Sequence, residues 1–335
     1  MEQIWFAEIQ ILEQLQQVAI WIIQFFKGVT FLGEENFFMV LMPIFYWCID
    51  MSIGYRFTLV LLLSNWINAF FKMLIHFPRP YWLSTSIKAH VIETSFGLPS
   101  GHSTNAASIW LFLAKQYRSK KLWVAFCITM TLLIMLSRLF LGMHFISDVL
   151  AGLLLGILLL VVFFWAEKKF SSKIDALPIQ NKIYLSIVST VLFVLIANFP
   201  ILINTFTLPP EWIERSIQAT NGTAPAPFAI KGMMTLAGVW FSMNIGYALL
   251  KETNHPLTTK GTPVQYLLRI VIGLAGAMAL RYGIKMLYPA ADGILLHFFD
   301  FLRYAIMTFW IAYLAPLLFV KLNLYKKSYH LNKTG

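Results

Sequence analysis

From Lys121 to Ala166 the chain reads KLWVAFCITMTLLIMLSRLFLGMHFISDVLAGLLLGILLLVVFFWA. Its two apolar runs, 121–141 and 145–166, each reach the roughly 20 residues that a helix needs to span a bilayer. At their junction stand Ser137-Arg138-Leu139-Phe140-Leu141-Gly142-Met143-His144-Phe145-Ile146-Ser147-Asp148. An arginine, a histidine and a carboxylate are expensive in such surroundings, so the cluster is a functional hypothesis by default. His144 and Asp148 are four residues apart, which on a helix puts them on one face. A carboxylate that accepts one ring N–H leaves the other nitrogen free as a base or nucleophile. Arg138 adds a fixed positive charge suited to an oxyanion. An interfacial loop whose Arg and Asp snorkel to water accounts for the same residues. On this stretch alone the two readings stand level.

Composition extends the membrane reading to the whole chain. Of 335 residues 59% are hydrophobic and 12% charged, with a mean hydropathy of +0.69; a soluble domain is about a quarter charged. The formal charge of +11 does not indicate a nucleic-acid partner, because there is no basic, polar domain to carry such a site. The Lys and Arg instead fall in short connections between apolar runs, as the positive-inside rule predicts. Cys48 and Cys127 lie inside apolar runs without metal-like spacing and read as small buried hydrophobes. No cleavable signal is expected, since Met1-Glu2-Gln3 opens the chain without a basic segment.

The predicted fold is all-α and polytopic. Residues 4–27 alternate apolar and polar positions at helical spacing, which predicts an amphipathic helix lying in the membrane interface. Nine spans follow, near 35–52, 55–76, 101–117, 121–141, 145–166, 183–204, 230–250, 264–287 and 296–320. The expected organisation is an N-terminal interfacial helix (1–34), a catalytic helical core (35–166), a basic linker (167–182) and a C-terminal four-helix membrane region with a basic tail (183–335).

The connections set the orientation. Lys115, Arg118, Lys120 and Lys121 fill one link; Lys168, Lys169, Lys173 and Lys182 the next on that side; Lys251 and Lys260 a third; and Lys321, Lys326, Lys327 and Lys333 the tail. That side is expected to be cytoplasmic. The other side receives Glu2, Glu8, Glu13, Glu34 and Glu35, the loops 77–100 and 205–228, and the turn near Asp292. The N-terminus is thus expected outside and the C-terminus inside. This topology gathers Lys72, Arg79, Pro99-Ser100-Gly101-His102, Arg138 and His144 at the outer face, which a snorkelling loop does not predict.

Ser100 reads as a helix N-cap, and Gly101 lets a ligand approach the backbone. A helix N-terminus with Lys72, Arg79 and Arg138 around two histidines suits a phosphate, whose oxygens spread charge in the transition state. One histidine can attack phosphorus while the other protonates the leaving oxygen. No His/Cys grouping has ligand spacing, so this chemistry does not require a metal.

Lys72-x6-Arg79-Pro80, Pro99-Ser100-Gly101-His102 and Ser137-Arg138-x5-His144-x3-Asp148 resemble the three-part signature of the type 2 phosphatidic acid phosphatases. The resemblance covers roughly residues 35–166. It implies that His144 is the nucleophile forming a phosphohistidine, that Asp148 orients it, and that His102 is the acid for the leaving group and then the base for water. It further implies that Lys72, Arg79, Ser100, Gly101 and Arg138 hold the phosphate, with no metal and no cofactor. Arg79-Pro80-Tyr81-Trp82 and the nine-span plan resemble the glucose-6-phosphatases, although the tail lacks a terminal dilysine for retention in the endoplasmic reticulum. The expected location is a bacterial inner membrane with the site on the extracytoplasmic face.

The expected activity is hydrolysis of a lipid phosphate monoester or diphosphate, with the bilayer and this phosphate ester as partners and the oligomeric state open. A sugar phosphatase, a phosphotransferase and a phosphate-ester transporter are the alternatives. Three further residues bear on substrate choice. Arg281, Lys285 and Arg303 fall in spans 8 and 9, where an Arg281–Asp300 ion pair competes with a role in reading substrate. His76 reads as interfacial, and Gly152-x3-Gly156 as a close-packing motif between spans.

Overall fold

The computed structural model describes residues 2–228, 231–253, 257–288 and 293–327. Asp292 and Lys333 of the expected topology lie outside these. The regular secondary structure of the described residues is helical apart from one short pair of strands, Leu257–Thr258 (β1) and Lys326–Lys327 (β2). In order, the helices are α1 (Glu2–Leu15), α2 (Ile20–Phe31), α3 (Glu35–Ile44), α4 (Met51–Ile75), α5 (Pro80–Leu83), α6 (Gly101–Gln116) and α7 (Lys121–Phe140). They continue as α8 (Ile146–Asp175), α9 (Ile179–Leu202), α10 (Pro210–Ala219), α11 (Lys231–Glu252), α12 (Pro263–Met286), α13 (Ile294–Phe309) and α14 (Ala315–Lys321). Single π-helical turns follow α3 at Phe45–Ile49 and α13 at Trp310–Leu314.

Among the described residues seven helical stretches are long and apolar enough to cross a membrane: α4 with α5, α7, α8, α9, α11, α12, and α13 through α14. This is an all-α integral membrane protein. The expected plan has nine. Two of the expected spans fall on short helices: α3 stops at Ile44 before its π turn, and α6 has 16 residues. At 1.5 Å per residue α6 is about 24 Å long, short of the hydrocarbon core. The N-terminal segment also differs from expectation. Instead of one helix over 4–27 there are two, α1 and α2, with a break between Leu15 and Ile20.

The chain forms two compact units: residues 1–38, 63–165 and 196–229 make the first, and 39–62, 166–195 and 230–335 the second. In the first, α8 lies directly against the start of α6 because two glycines allow it. A Cβ at Gly152 would come 2.6 Å from the Ser100 carbonyl, and one at Gly156 2.7 Å from the Thr104 carbonyl. This is the close packing that the Gly-x3-Gly spacing predicts. The α4–α6 contact is held by polar groups instead. Ser64 Oγ donates to Asn105 Oδ1 (2.6 Å), Ser108 Oγ to Ser64 Oγ (3.0 Å), and Asn68 Nδ2 to the Pro99 carbonyl (3.1 Å). Such bonds tie helices in a medium where apolar contacts give little preference for one partner over another.

The second unit is organised around Arg269, which is fully buried. Its guanidinium donates to the carbonyls of Leu324, Trp47 (3.2 Å), Thr259 and Lys260 (3.4 Å) and lies 4.3 Å from the Tyr325 ring centroid. Tyr325 in turn donates to the Trp47 carbonyl (2.9 Å). Tyr46 and Trp47 donate to the carbonyls of Ala312 and Ile311, both at 2.9 Å, so that each π turn is bonded to the other.

Replacing Arg269 with Met would leave the buried Leu324 carbonyl and the half-buried Thr259 carbonyl without this donor, at about 1–3 kcal/mol for each one not rescued. The Arg269→Met protein is therefore expected to unfold at markedly lower temperature in detergent than the parent; an unchanged melting curve would show that the carbonyls do not depend on it.

Candidate active site

The site is assembled wholly within the first unit, from the end of α4, the loop leading to α6, the first turn of α6, the end of α7 and the α7–α8 turn. Lys72 lies in the last turn of α4 and its Nζ donates to Ser95 Oγ (3.0 Å). Ser100 is the N-cap of α6, its hydroxyl accepting from Ser103 N, and its own N–H donates to the Asp148 carbonyl (3.0 Å). That bond holds the first turn of α6 against the start of α8. Gly97 is needed here, since a Cβ would come 2.5 Å from the Pro78 carbonyl and 2.9 Å from Asp148 Oδ2.

Arg79 is 0% exposed and connects the parts. Nε donates to the Ser95 carbonyl (2.6 Å), Nη1 to the Met143 carbonyl (3.0 Å), and Nη2 to Ser95 Oγ (3.0 Å) and the Phe96 carbonyl (3.3 Å). Nη1 also lies 3.3 Å from His144 Nε2. Arg138, also 0% exposed, projects from the end of α7 and donates to Thr30 Oγ1 on α2 (2.6 Å). The turn that follows passes through Gly142 at φ +69°, in the left-handed region where a Cβ is unwelcome.

This turn presents His144 at 1% exposure. Its Nδ1 lies 3.2 Å from Asp148 Oδ2, which also accepts from Phe145 N (3.1 Å). With Nδ1–H donating to the carboxylate, Nε2 carries its lone pair toward the Arg79 guanidinium. Burial pushes the His144 imidazole well below its usual range, and the charges of Arg79, Lys72 and Arg138 act in the same direction. Neutral, it has a lone pair available for attack. His102, in the first turn of α6, has a buried Nε2 with no hydrogen-bond partner among the described residues. The expected residues Lys72, Arg79, Ser100, Gly101, His102, Arg138, His144 and Asp148 thus belong to one site. Arg281, Lys285 and Arg303 belong to the second unit. There the expected Arg281–Asp300 pair is not formed: Asp300 pairs with Arg303 (2.8 Å), one turn along the same helix, and Arg281 Nη1 contacts Met39 Sδ (3.2 Å).

Several site residues escaped the sequence reading. Glu93 accepts from Arg79 Nη2 (3.3 Å) and Arg138 Nη2 (3.1 Å), and lies 3.8 Å from His102 Nδ1. Burial by itself would raise its carboxyl, but the guanidiniums of Arg79 and Arg138 outweigh this and hold it well below the usual carboxylate range. The signal available was that Glu93 is the only acidic residue of loop 77–100. Helix α1 also reaches the site. Trp5 stacks on Phe145 (6.2 Å) and meets Phe77 edge-on (5.4 Å), while Glu8 accepts from Ser147 N and Oγ, each at 3.2 Å. Residues from the second half of the chain hold the loop before α6, with Ala226 N donating to the Thr94 carbonyl (3.0 Å) and Arg215 Nη1, from α10, to the Leu83 carbonyl (2.6 Å). His76 stacks on Phe206 (4.7 Å) in an aromatic cluster with Phe96 and Phe228.

Residues 54–172 match the model of the PAP2 superfamily, and residues 234–327 match that of a PAP2 superfamily phosphatase, transmembrane extension. The chain is 32% identical to phosphatidylglycerophosphatase B of Bacillus subtilis (strain 168) over 167 residues, 46% of this chain and 77% of that protein. It is 27% identical to sphingosine-1-phosphate phosphatase 2 of Mus musculus over 52% of this chain and 50% of that protein. It is 25% identical to glucose-6-phosphatase catalytic subunit 1 of Felis catus over 63% of this chain and 66% of that protein. The matched region thus spans about half to two thirds of these two mammalian relatives. With three motifs on one site, and with 77% of a bacterial relative covered at 32% identity, the chain belongs to the PAP2 superfamily.

Proposed function

We propose that this protein is a membrane phosphatase that hydrolyses a lipid phosphate through a phosphohistidine on His144. The observation that carries the reading is the pair of bonds at that ring. Nδ1 is held by Asp148 Oδ2 (3.2 Å) and Nε2 points at Arg79 Nη1 (3.3 Å). A phosphoryl group bound to Arg79, Arg138, Lys72 and the N–H groups at the start of α6 would sit against Nε2. Nε2 forms the N–P bond as the P–O bond to the alcohol breaks, and His102 gives the leaving oxygen its proton. Water then attacks phosphorus, gives its proton to His102, and releases phosphate and neutral His144. Positive charge for the transition state comes from the three basic side chains and the α6 dipole.

The names of two relatives, a phosphatidylglycerophosphatase and a sphingosine-1-phosphate phosphatase, and the apolar setting support a lipid ester. A sugar phosphate is the second reading, favoured by the longer stretch of this chain, 63%, that aligns with the glucose-6-phosphatase subunit. We place the site on the extracytoplasmic face of a bacterial inner membrane. In this reading α3 with its π turn and α6 complete a nine-span plan with the N-terminus outside.

The His144→Ala protein is expected to lose phosphate release by at least about 1,000-fold, and Asp148→Asn by at least about 100-fold. Reactions quenched in alkali and digested at alkaline pH should carry phosphate on the peptide containing His144, where the acid-labile N–P bond survives. Activity surviving His144→Ala would overturn the mechanism. Across phosphatidate, lysophosphatidate, sphingosine phosphate and glucose 6-phosphate, kcat/KM is expected to be highest for a lipid; a profile led by glucose 6-phosphate selects the second reading.

A further inference from the structure

The site holds two imidazoles but, by its motifs, one assigned carboxylate. Asp148 holds Nδ1 of His144. His102 presents the mirror situation, with its Nδ1 3.8 Å from Glu93 Oε1 and its Nε2 buried without a partner. We infer that Glu93 is the positioning carboxylate of His102, setting the tautomer and supporting the protonated ring that delivers a proton to the leaving oxygen. The inference rests on the acid role of His102 proposed above.

Three observations carry it. First, the carboxylate is fixed from several sides. Oε1 accepts from Arg138 Nη2 (3.1 Å) and Oε2 from Arg79 Nη2 (3.3 Å). The Glu93 carbonyl accepts from Tyr81 OH (2.6 Å), and the neighbouring Thr94 carbonyl from Ala226 N (3.0 Å). Second, the charges around His102 make such a group necessary. The other charged or titratable groups facing it and Glu93 are Lys72 from α4, Arg79 at α5, Arg138 from α7, His144 and Asp148 at the start of α8, and Glu34 beside Arg138. An imidazolium at His102 therefore stands among three cations, and Glu93 is the carboxylate paired with its ring. Third, a separation of 3.8 Å is ion-pair range rather than a hydrogen bond, and catalytic contacts commonly tighten once substrate is bound.

A residue that acts through the acid matters for poor leaving groups and hardly at all for good ones. With the full chain in detergent, Glu93→Gln is expected to lower kcat/KM about 100-fold for lysophosphatidate, whose alkoxide needs a proton. For 4-nitrophenyl phosphate, whose nitrophenolate leaves without one, the loss should be at least about tenfold smaller. The alkaline limb of the lysophosphatidate profile should move to lower pH, and Glu93→Asp should recover part of the loss. Because both esters are assayed on one preparation, their ratio does not depend on the fraction correctly folded. Equal losses on both esters, or no loss on either, would overturn the inference. A parent protein that cleaves neither ester would overturn the phosphatase reading instead.

Discussion

A guanidinium buried away from water must find a partner for nearly every N–H, and the first unit depends on how Arg79 does so. Its donors reach Ser95, Phe96, Met143, Glu93 and His144, which lie on the loop before α6 and on the turn before α8. One side chain thus clamps two segments nearly 50 residues apart in sequence. Burying a charged group is costly unless its hydrogen bonds are met. Here the Ser95, Phe96 and Met143 carbonyls meet them, and the same bonds place His144 Nε2 at the guanidinium. In the proposed mechanism the same atoms serve the structural requirement and the chemical one.

The clamp works because the helices beneath it approach closely. Gly152 and Gly156 bring α8 against the carbonyls of Ser100 and Thr104, which lets Ser100 N reach the Asp148 carbonyl. In water, apolar side chains would supply most of that cohesion. Inside a bilayer lipid tails compete equally for apolar surface, so backbone proximity and bonds such as Asn68 to the Pro99 carbonyl decide which helix faces which. Arg269 shows the same physics in the second unit, where backbone carbonyls rather than carboxylates satisfy the buried charge.

Local spacing was the most readable part of the site. Asp148 reaches His144 across one helical turn, and Ser100 caps α6, because both relationships are set by helix geometry over three or four residues. Glu93 was not readable in this way. It stands nine positions before His102 in a loop without periodicity, and only folding brings its carboxylate to Arg79, Arg138 and His102 at once. The Arg281–Asp300 pairing failed for a related reason: Asp300 has Arg303 on its own helix, three residues on, and an i,i+3 partner costs less ordering than one on another helix. Helix α1, read as an interfacial amphipathic segment, spends Trp5 and Glu8 on the turn bearing His144 and on the start of α8.

Taken by itself, the sequence determined the class of molecule and the chemistry of its motifs. Long apolar runs dictate membrane helices, and the few polar residues inside them must serve a purpose because lipid cannot solvate them. The tertiary structure decided how many helices are long enough to span, what α1 and residues 204–228 pack against, and that a loop glutamate joins Arg79 and Arg138 to His102. Those outcomes rest on contacts between segments far apart in the chain, whose distances are set by the packing of whole helices and not by any local repeat.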